Sequence, residues 1–308
     1  EQALINSIDQ LESRGPDNKE IWIEEGCGLA HRRLSILDLS ESGNQPMLSL
    51  DRRYVCVFNG EIYNYLDIKN KLGSSSHAWR GNSDTEVLIE AWAKWGPECL
   101  NHLDGMFAFV IWDRKDKKLY AARDRIGEKP FYYNWNGKSF SFASRPLPIF
   151  TLQKGLSTEY DEQALRYFLE SGYVPAPHSI HKEIKKLEAS SFLEIDKNGL
   201  KTKKYWNPYP ITPELSWKNR KEEDLLDELD EILTNSVKNR MVSDVPLGAF
   251  LSGGIDSSLI VALMAKQSSQ KIKTFTIGFK EKKYDESYHA KAVADHLETH
   301  HFSETLEV

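Results

Sequence analysis

Cysteine is scarce in this 308-residue chain, which holds only Cys27, Cys56 and Cys99. They are odd in number, far apart and form no Cys-x-x-Cys pair, which speaks against a disulfide framework or a zinc site. We read them as buried thiols. Long apolar runs are lacking as well. The longest, near Val55, Phe107 and Leu259, fall far short of the roughly 20 residues that span a bilayer, and no signal-peptide pattern opens the chain. The cytoplasm is therefore the expected location. There is no basic tract, and 40 Lys and Arg against 46 Asp and Glu leave a net charge of −6. Such mild acidity offers no electrostatic footprint for nucleic acid or an anionic membrane, and it suits a soluble protein that handles small molecules. Internal repeats and low-complexity segments are absent too.

What is present fills about two domains of ordinary size. After an amphipathic helix expected over Gln2–Ser13, the chain up to about residue 150 reads mainly as short strands between turn signals. The stretch "MFAFVIWDRKDKKLYAARDRIGEKPFYYNWNGKSFSFAS" predicts a β-meander, with a polar turn at Asp113–Lys118 and a hairpin at Asn136-Gly137. Helices are expected over Thr85–Trp95 and Asp161–Ser171, giving an α+β layout. In "YWNPYPITPELSW", Tyr205–Trp217, Pro208, Pro210 and Pro213 each forbid ladder or helix hydrogen bonds. This marks a boundary between domains at 1–207 and 218–308. Beyond it Leu225, Leu226, Leu229, Ile232, Leu233 and Val237 recur at helical spacing. Then "VPLGAFLSGG" predicts a buried strand, Ser257–Gln267 a helix, "IKTFTIGF" a strand and Glu286–Leu297 a helix. That alternation implies a parallel sheet with right-handed crossovers.

The turn in "GAFLSGGIDSSLIVALMAK" carries chemistry. Where a parallel strand feeds a helix, unpaired N–H groups and the positive end of the helix dipole favour an anion. Gly253 and Gly254 let the backbone approach it, while Ser252, Ser257 and Ser258 can donate further hydrogen bonds. Pyrophosphate fits such a nest at the end of a central strand, facing an open cleft. Asp256 would repel a phosphate directly, so it needs either an intervening metal ion or a plain helix-capping role. The plainer reading is a packing turn with Asp256 as cap. A Walker A loop is excluded, since no Gly-Lys-Ser/Thr follows.

"LSGGIDSS" resembles the signature of the N-type ATP pyrophosphatases. The longer stretches "SDVPLGAFLSGGIDSSLIVALM" and "TFTIGFKEKKYDESYHAKAVADHL", with "HRRLSILD", "FNGEIYNY" and "NSDTEV" in the first domain, resemble glutamine-hydrolysing asparagine synthetases through essentially the whole chain. The resemblance implies a class II glutamine amidotransferase domain of N-terminal-nucleophile type (an αββα sandwich), followed by part of an α/β parallel-sheet domain like the adenine nucleotide α-hydrolases. It implies ATP and Mg²⁺, no nucleic acid or membrane partner, and a homodimer as one form of assembly. It also implies sites. Leu251 and Ile277 would hold adenine through their backbones, Ser252, Gly253, Gly254, Asp256, Ser257 and Ser258 would cradle pyrophosphate, and Asp256 would bind magnesium.

In the first domain the resemblance assigns glutamine to Arg33, Leu34, Ser35, Ile36, Asn59, Gly60, Glu61 and Asp84. Arg33 would fork onto the carboxylate, and Asp84 with Glu61 would hold the ammonium. The Asn59 side chain and Gly60 N–H, on a rigid turn, would stabilise the oxyanion. These residues should converge on one pocket. Taken singly, Asn59-Gly60 is a common hairpin turn and Arg33 or Asp84 a solvated charge.

The family's nucleophile is a cysteine at the first position whose own α-amine is the base; residue one here is Glu. The chain is therefore expected to be cut at both ends and to release no glutamate by itself. The expected activity of the whole protein is amidation of aspartate to asparagine with ammonia from glutamine, giving AMP and pyrophosphate. A related amidotransferase acting on another carboxylate, and a non-catalytic nucleotide-binding remnant, are the competing readings.

Overall fold

The computed structural model describes residues 1–73, 78–208 and 220–307. Residues 209–219, which include Pro210 and Pro213 of the expected boundary, lie outside the described ones. The chain divides into two compact units, Glu1–Pro210 and Ile211–Val308. Among the described residues no helix is long and apolar enough to cross a membrane.

The first unit opens with α1 (Gln2–Asp9), shorter than expected, because residues 12–14 form a separate turn of 3₁₀ helix. A two-stranded sheet follows, β1 (Asn18–Glu24) with β2 (Cys27–Arg33). The chain then runs through β3 (Met47–Leu48), β4 (Tyr54–Ile62), α2 (Tyr65–Leu72), α3 (Asp84–Trp95), β5 (Gly105–Asp113) and β6 (Lys118–Arg123). Next come β7 (Tyr132–Trp135), β8 (Phe140–Ala143), α4 (Leu147–Leu152), α5 (Glu162–Ser171), β9 (Lys185–Lys186), β10 (Ser191–Asp196) and β11 (Gly199–Lys204). The large antiparallel sheet has the order β11-β10-β6-β5-β4-β3, and β8-β7-β9 form a third sheet.

Strands β4 and β5 explain the layering. Their registry runs from Tyr54 opposite Asp113 to Ile62 opposite Gly105. Since side chains alternate along a strand, Cys56, Phe58, Phe107 and Phe109 enter one core with Leu88 and Trp92 of α3. Val55, Val57, Ala108 and Val110 enter the other, against Leu29 of β2, Phe131 and Phe142. Helices α1 and α4 pack on each other and on β2 and β8. The result is the expected αββα sandwich.

Local side-chain contacts set the starts of two helices. Ser83 caps α3 by accepting from the Glu86 N–H, and Asp161 caps α5 by accepting from Gln163 and Ala164. The turn between β5 and β6 falls where Asp113–Lys118 places it, and Gly137 at φ +89° serves the β7–β8 connection. Asn59-Gly60 departs from the expectation. It forms no turn and lies inside β4.

The second unit consists of α6 (Glu222–Arg240), β12 (Gly248–Phe250), α7 (Ile255–Gln267), β13 (Lys273–Phe279), α8 (Ser287–His296) and β14 (His300–Leu306). The sheet is parallel, as expected, in the order β12-β13-β14. Strand β12 is neither central nor buried among the described residues. It lies at the edge, with Gly248 and Phe250 exposed; only Leu251, just after it, is deeply buried. Helices α6 and α7 share a small core of Val237, Leu263, Met264 and Ile272. Leu251 and Val261 pack with Ala290 and Ala294 of α8.

Candidate functional site

Phe58, Gly60 and Ile62 share the edge of β4 turned away from β5, because hydrogen-bonding direction repeats every second residue. Strand β3 pairs with β4 only at Val55 and Cys56. Beyond it, side chains take over. The Phe58 N–H donates to Gln45 Oε1 at 2.6 Å, and the Ile62 N–H donates to Asp84 Oδ2 at 2.9 Å. The Phe58 carbonyl lies 3.1 Å from His31 Nε2, so that nitrogen carries the proton. Burial, with a smaller push from the Arg33 charge, lowers the His31 pKa to about 4, which keeps the ring neutral. The Gly60 N–H falls on this same edge, beside a cavity of about 190 Å³ that Gly60 lines.

That cavity gathers Arg33, Leu34, Ile36, Asn59, Gly60, Glu61 and Asp84, residues spread widely in sequence. The Asn59 side-chain amide forms no hydrogen bond within the described residues, so its donors are free. Gly60 must be glycine: a Cβ there would stand 2.1 Å from the Met106 carbonyl oxygen. Asp84 is buried at the start of α3, and its pKa rises to about 7 through burial, with Glu61 adding to it. Burial also raises the Glu61 pKa, partly offset by the Lys129 charge. Burial disfavours the charged form of both carboxyls, and a cationic group in the pocket would offset that cost.

Two assigned residues sit differently from expectation. Ser35 does not line the cavity; its N–H donates to Asp17 Oδ2 at 2.7 Å. Arg33 is at the wall, but its guanidinium faces the chain. Nη1 donates to the Ser40 carbonyl at 2.8 Å and Asn44 Oδ1 at 2.9 Å. Nη2 donates to the carbonyls of Leu37 and Asp38. Both terminal nitrogens are thus committed to the 37–44 segment in this geometry, and only Nε is left over. His31, Gln45 and Lys129, also at this cavity, went unassigned from sequence. A signal existed for His31, which stands two residues before Arg33 on β2 and so shares its face.

A second cavity of about 210 Å³, mostly apolar, lies between β2, β5, β8, α1 and α4. His31, Phe58 and Asn59 border both cavities. None of the three cysteines does. Cys56 and Cys99 are buried in the helix-side core, and burial pushes the Cys27 thiol up to about 12.

In the second unit the glycine turn is exposed. Gly253 has φ +83°, and a Cβ there would meet His289 and Ala290 of α8 at 2.6 Å, so both conformation and space demand glycine. Gly254 occupies the cap position of α7, with no side-chain cap bond; Asp256 therefore is not the cap, and its carboxylate is exposed in the first turn. Ser252 and Ser257 hydroxyls lie 3.0 Å apart, and the Ser258 hydroxyl is buried without a partner. The Leu251 N–H and C=O are already taken, by the Phe275 carbonyl and the Thr276 hydroxyl. Strand β12 ends opposite Phe275, so Ile277 has no β12 partner. No cluster of three or more metal-ligating side chains occurs among the described residues. A cation at Asp256 would complete its shell from phosphate and water oxygens, as magnesium commonly does.

Each unit matches a known family. The glutamine amidotransferase domain model covers residues 1–206, so the chain belongs to the glutamine amidotransferases. Residues 228–308 match the asparagine synthase model. A putative asparagine synthetase 2 of Methanocaldococcus jannaschii is 39% identical over 96% of this chain and 60% of that protein. Asparagine synthetase 1 of Bacillus subtilis is 36% identical over 99% of this chain and 47% of that protein. The chain thus spans about half the length of the curated relatives it matches. Among solved structures, glutamine phosphoribosylpyrophosphate amidotransferase from B. subtilis aligns with a TM-score of 0.41 and 15% identity, over 90% of this chain and 51% of that one.

Proposed function

We propose that this chain serves glutamine-dependent amidation of aspartate. In the whole protein, glutamine and water give glutamate and ammonia at the first unit. ATP and the aspartate side-chain carboxylate give an acyl-adenylate and pyrophosphate at the second. Ammonia then displaces AMP to give asparagine.

The observation that carries this reading is the convergence of Asn59, Gly60, Glu61 and Asp84 on one cavity beside Arg33. Glu61 and Asp84 receive the ammonium of glutamine, whose positive charge favours the ionised form of each carboxyl. The Asn59 amide and the Gly60 N–H, held by β4, face the oxygen on which charge develops when the amide is attacked. Arg33 takes the carboxylate once a carbonyl of the 37–44 segment gives way.

At the second site Gly253, Gly254, Ser252, Ser257 and Ser258 hold the departing pyrophosphate. Magnesium, held by Asp256, would offset the charge of the phosphates. Leu251 and Ile277 flank the adenine; with the Leu251 backbone already paired, contact there falls to its side chain and to the Ile277 backbone.

Pyrophosphate release measured with aspartate, and then with other carboxylates in its place, tests the acceptor. Release that ignores aspartate refutes the assignment. Calorimetric titration with L-glutamine tests the first site, and binding that survives Asp84→Asn unchanged refutes it.

A further inference from the structure

The segment from Leu34 to Asn44 forms one wall of the 190 Å³ cavity, contributing Leu34, Ile36, Leu37 and Gly43. The start of α3 forms an adjoining wall through Ser83, Asp84 and Thr85. One side chain joins them. Asp38 Oδ2 accepts from the Asn82 backbone N–H at 2.8 Å, directly before the α3 cap, and from the Ser42 hydroxyl at 2.9 Å. Asp38 Oδ1 accepts from the Ser40 N–H at 3.2 Å and the Ser40 hydroxyl at 2.5 Å. Its backbone carbonyl receives Arg33 Nη2.

Two further features show that this junction is built. Asp38 is held at φ +52°, a left-handed conformation that costs a non-glycine residue energy and persists only where its surroundings enforce it. Gly81, across the junction, leaves no room for a side chain: a Cβ would lie 2.4 Å from Asp38 Oδ2 and 2.3 Å from Ser42 Oγ.

We infer that Asp38 is a positioning residue, a clasp that locks the 34–44 wall to the Asp84 wall and thereby fixes the spacing between the two ends of a bound amino acid. The carboxylate end is set by Arg33 through the Asp38 carbonyl, and the ammonium end by Asp84 through Asn82. Neither contact requires Asp38 to touch the ligand. The clasp itself stands on the geometry alone; its effect on glutamine rests on the function proposed above.

The test uses this 308-residue chain with Asp38→Asn and Gly81→Ala, the second of which leaves the carboxylate in place but wedges the junction. Without ligand, backbone hydrogen exchange at Ser40 and Asn82 should accelerate about tenfold or more in Asp38→Asn, the size expected from losing a hydrogen bond to a charged acceptor. Gly81→Ala should do the same, and exchange in β4 and β5 should not change. Unaltered exchange at both amides overturns the clasp. With L-glutamine as probe, calorimetry should show about tenfold weaker binding in both variants, each still unfolding in one cooperative step. Faster exchange with undiminished glutamine affinity would show the junction to be structural and overturn the positioning role. If the parent chain takes up no glutamine, the function proposed for the cavity falls, while the exchange measurement still decides the clasp.

Discussion

Strands β5 and β13 each carry large apolar side chains, yet among the described residues one is covered on both faces and the other on one. Along β5, Phe107, Phe109 and Ile111 face α3 while Ala108, Val110 and Trp112 face the second layer, and all are buried. Along β13 the order is reversed against polarity. Thr274 and Thr276 are buried on the helix side, while Phe275 and Ile277 are exposed on the other. Registry aligns Phe250, Phe275 and Phe302 across the three strands, and the Phe275 and Phe302 rings stack at 5.2 Å. Parallel strands are ordinarily covered on both faces. The difference teaches that an apolar side chain marks a face able to be covered. It does not mark one that is.

The largest effect that would sharpen this contrast is in the first unit. Trp92→Ala removes a buried indole that touches the rings of Phe109 and Tyr120. It should cost about 3–5 kcal/mol, read from the urea midpoint; a loss near zero would mean the helix-side core is looser than its packing shows. Gly60→Ala comes next, because its Cβ would press on the β5 backbone. About 1–3 kcal/mol is expected from overpacking, together with loss of glutamine binding by calorimetry.

The third effect is electrostatic. Asp84 has a folded pKa of about 7 against an ordinary 3.8, so the folded state binds the extra proton between those values. Stability from this group is full at acid pH and is lost as pH rises through that window. Asp84→Asn should flatten the dependence, by on the order of 1–3 kcal/mol between pH 5 and pH 7.5, with urea titration at each pH as the measure. A parent chain that gains stability over that window relative to the variant would reverse the sign. The smallest effect should come from Phe250→Ala, since this ring is 80% exposed. A change within about 0.5 kcal/mol is expected, and a cost rivalling that of Trp92→Ala would break the comparison.

The same distinction governs what the sequence disclosed. Helix starts were legible because capping is local: Ser83 and Asp161 satisfy N–H groups two or three residues away. The parallel order of the second sheet followed from alternation of strand and helix. Strand β12 lies at an edge and is partly exposed, against the expectation of a buried central strand, because apolar letters say nothing of position in a sheet. Asn59-Gly60 was open to a turn reading because the dipeptide favours one, and pairing along β4 and β5 overrode that preference. The convergence of Asn59, Gly60, Glu61 and Asp84 came through the motifs. The commitment of Arg33 could not, since its partners are mostly main-chain carbonyls, which every residue type possesses.

Past the short β3, the outer edge of β4 is dressed by Gln45, His31 and Asp84, which occupy the Phe58 N–H, the Phe58 carbonyl and the Ile62 N–H. An uncovered edge of that kind is a template on which a foreign strand can grow, and proteins pay attention to closing it. The side chains that shape this pocket are therefore also its guard against aggregation. Replacing several of them together would turn the wall of a pocket into an adhesive seam along which copies of the chain associate.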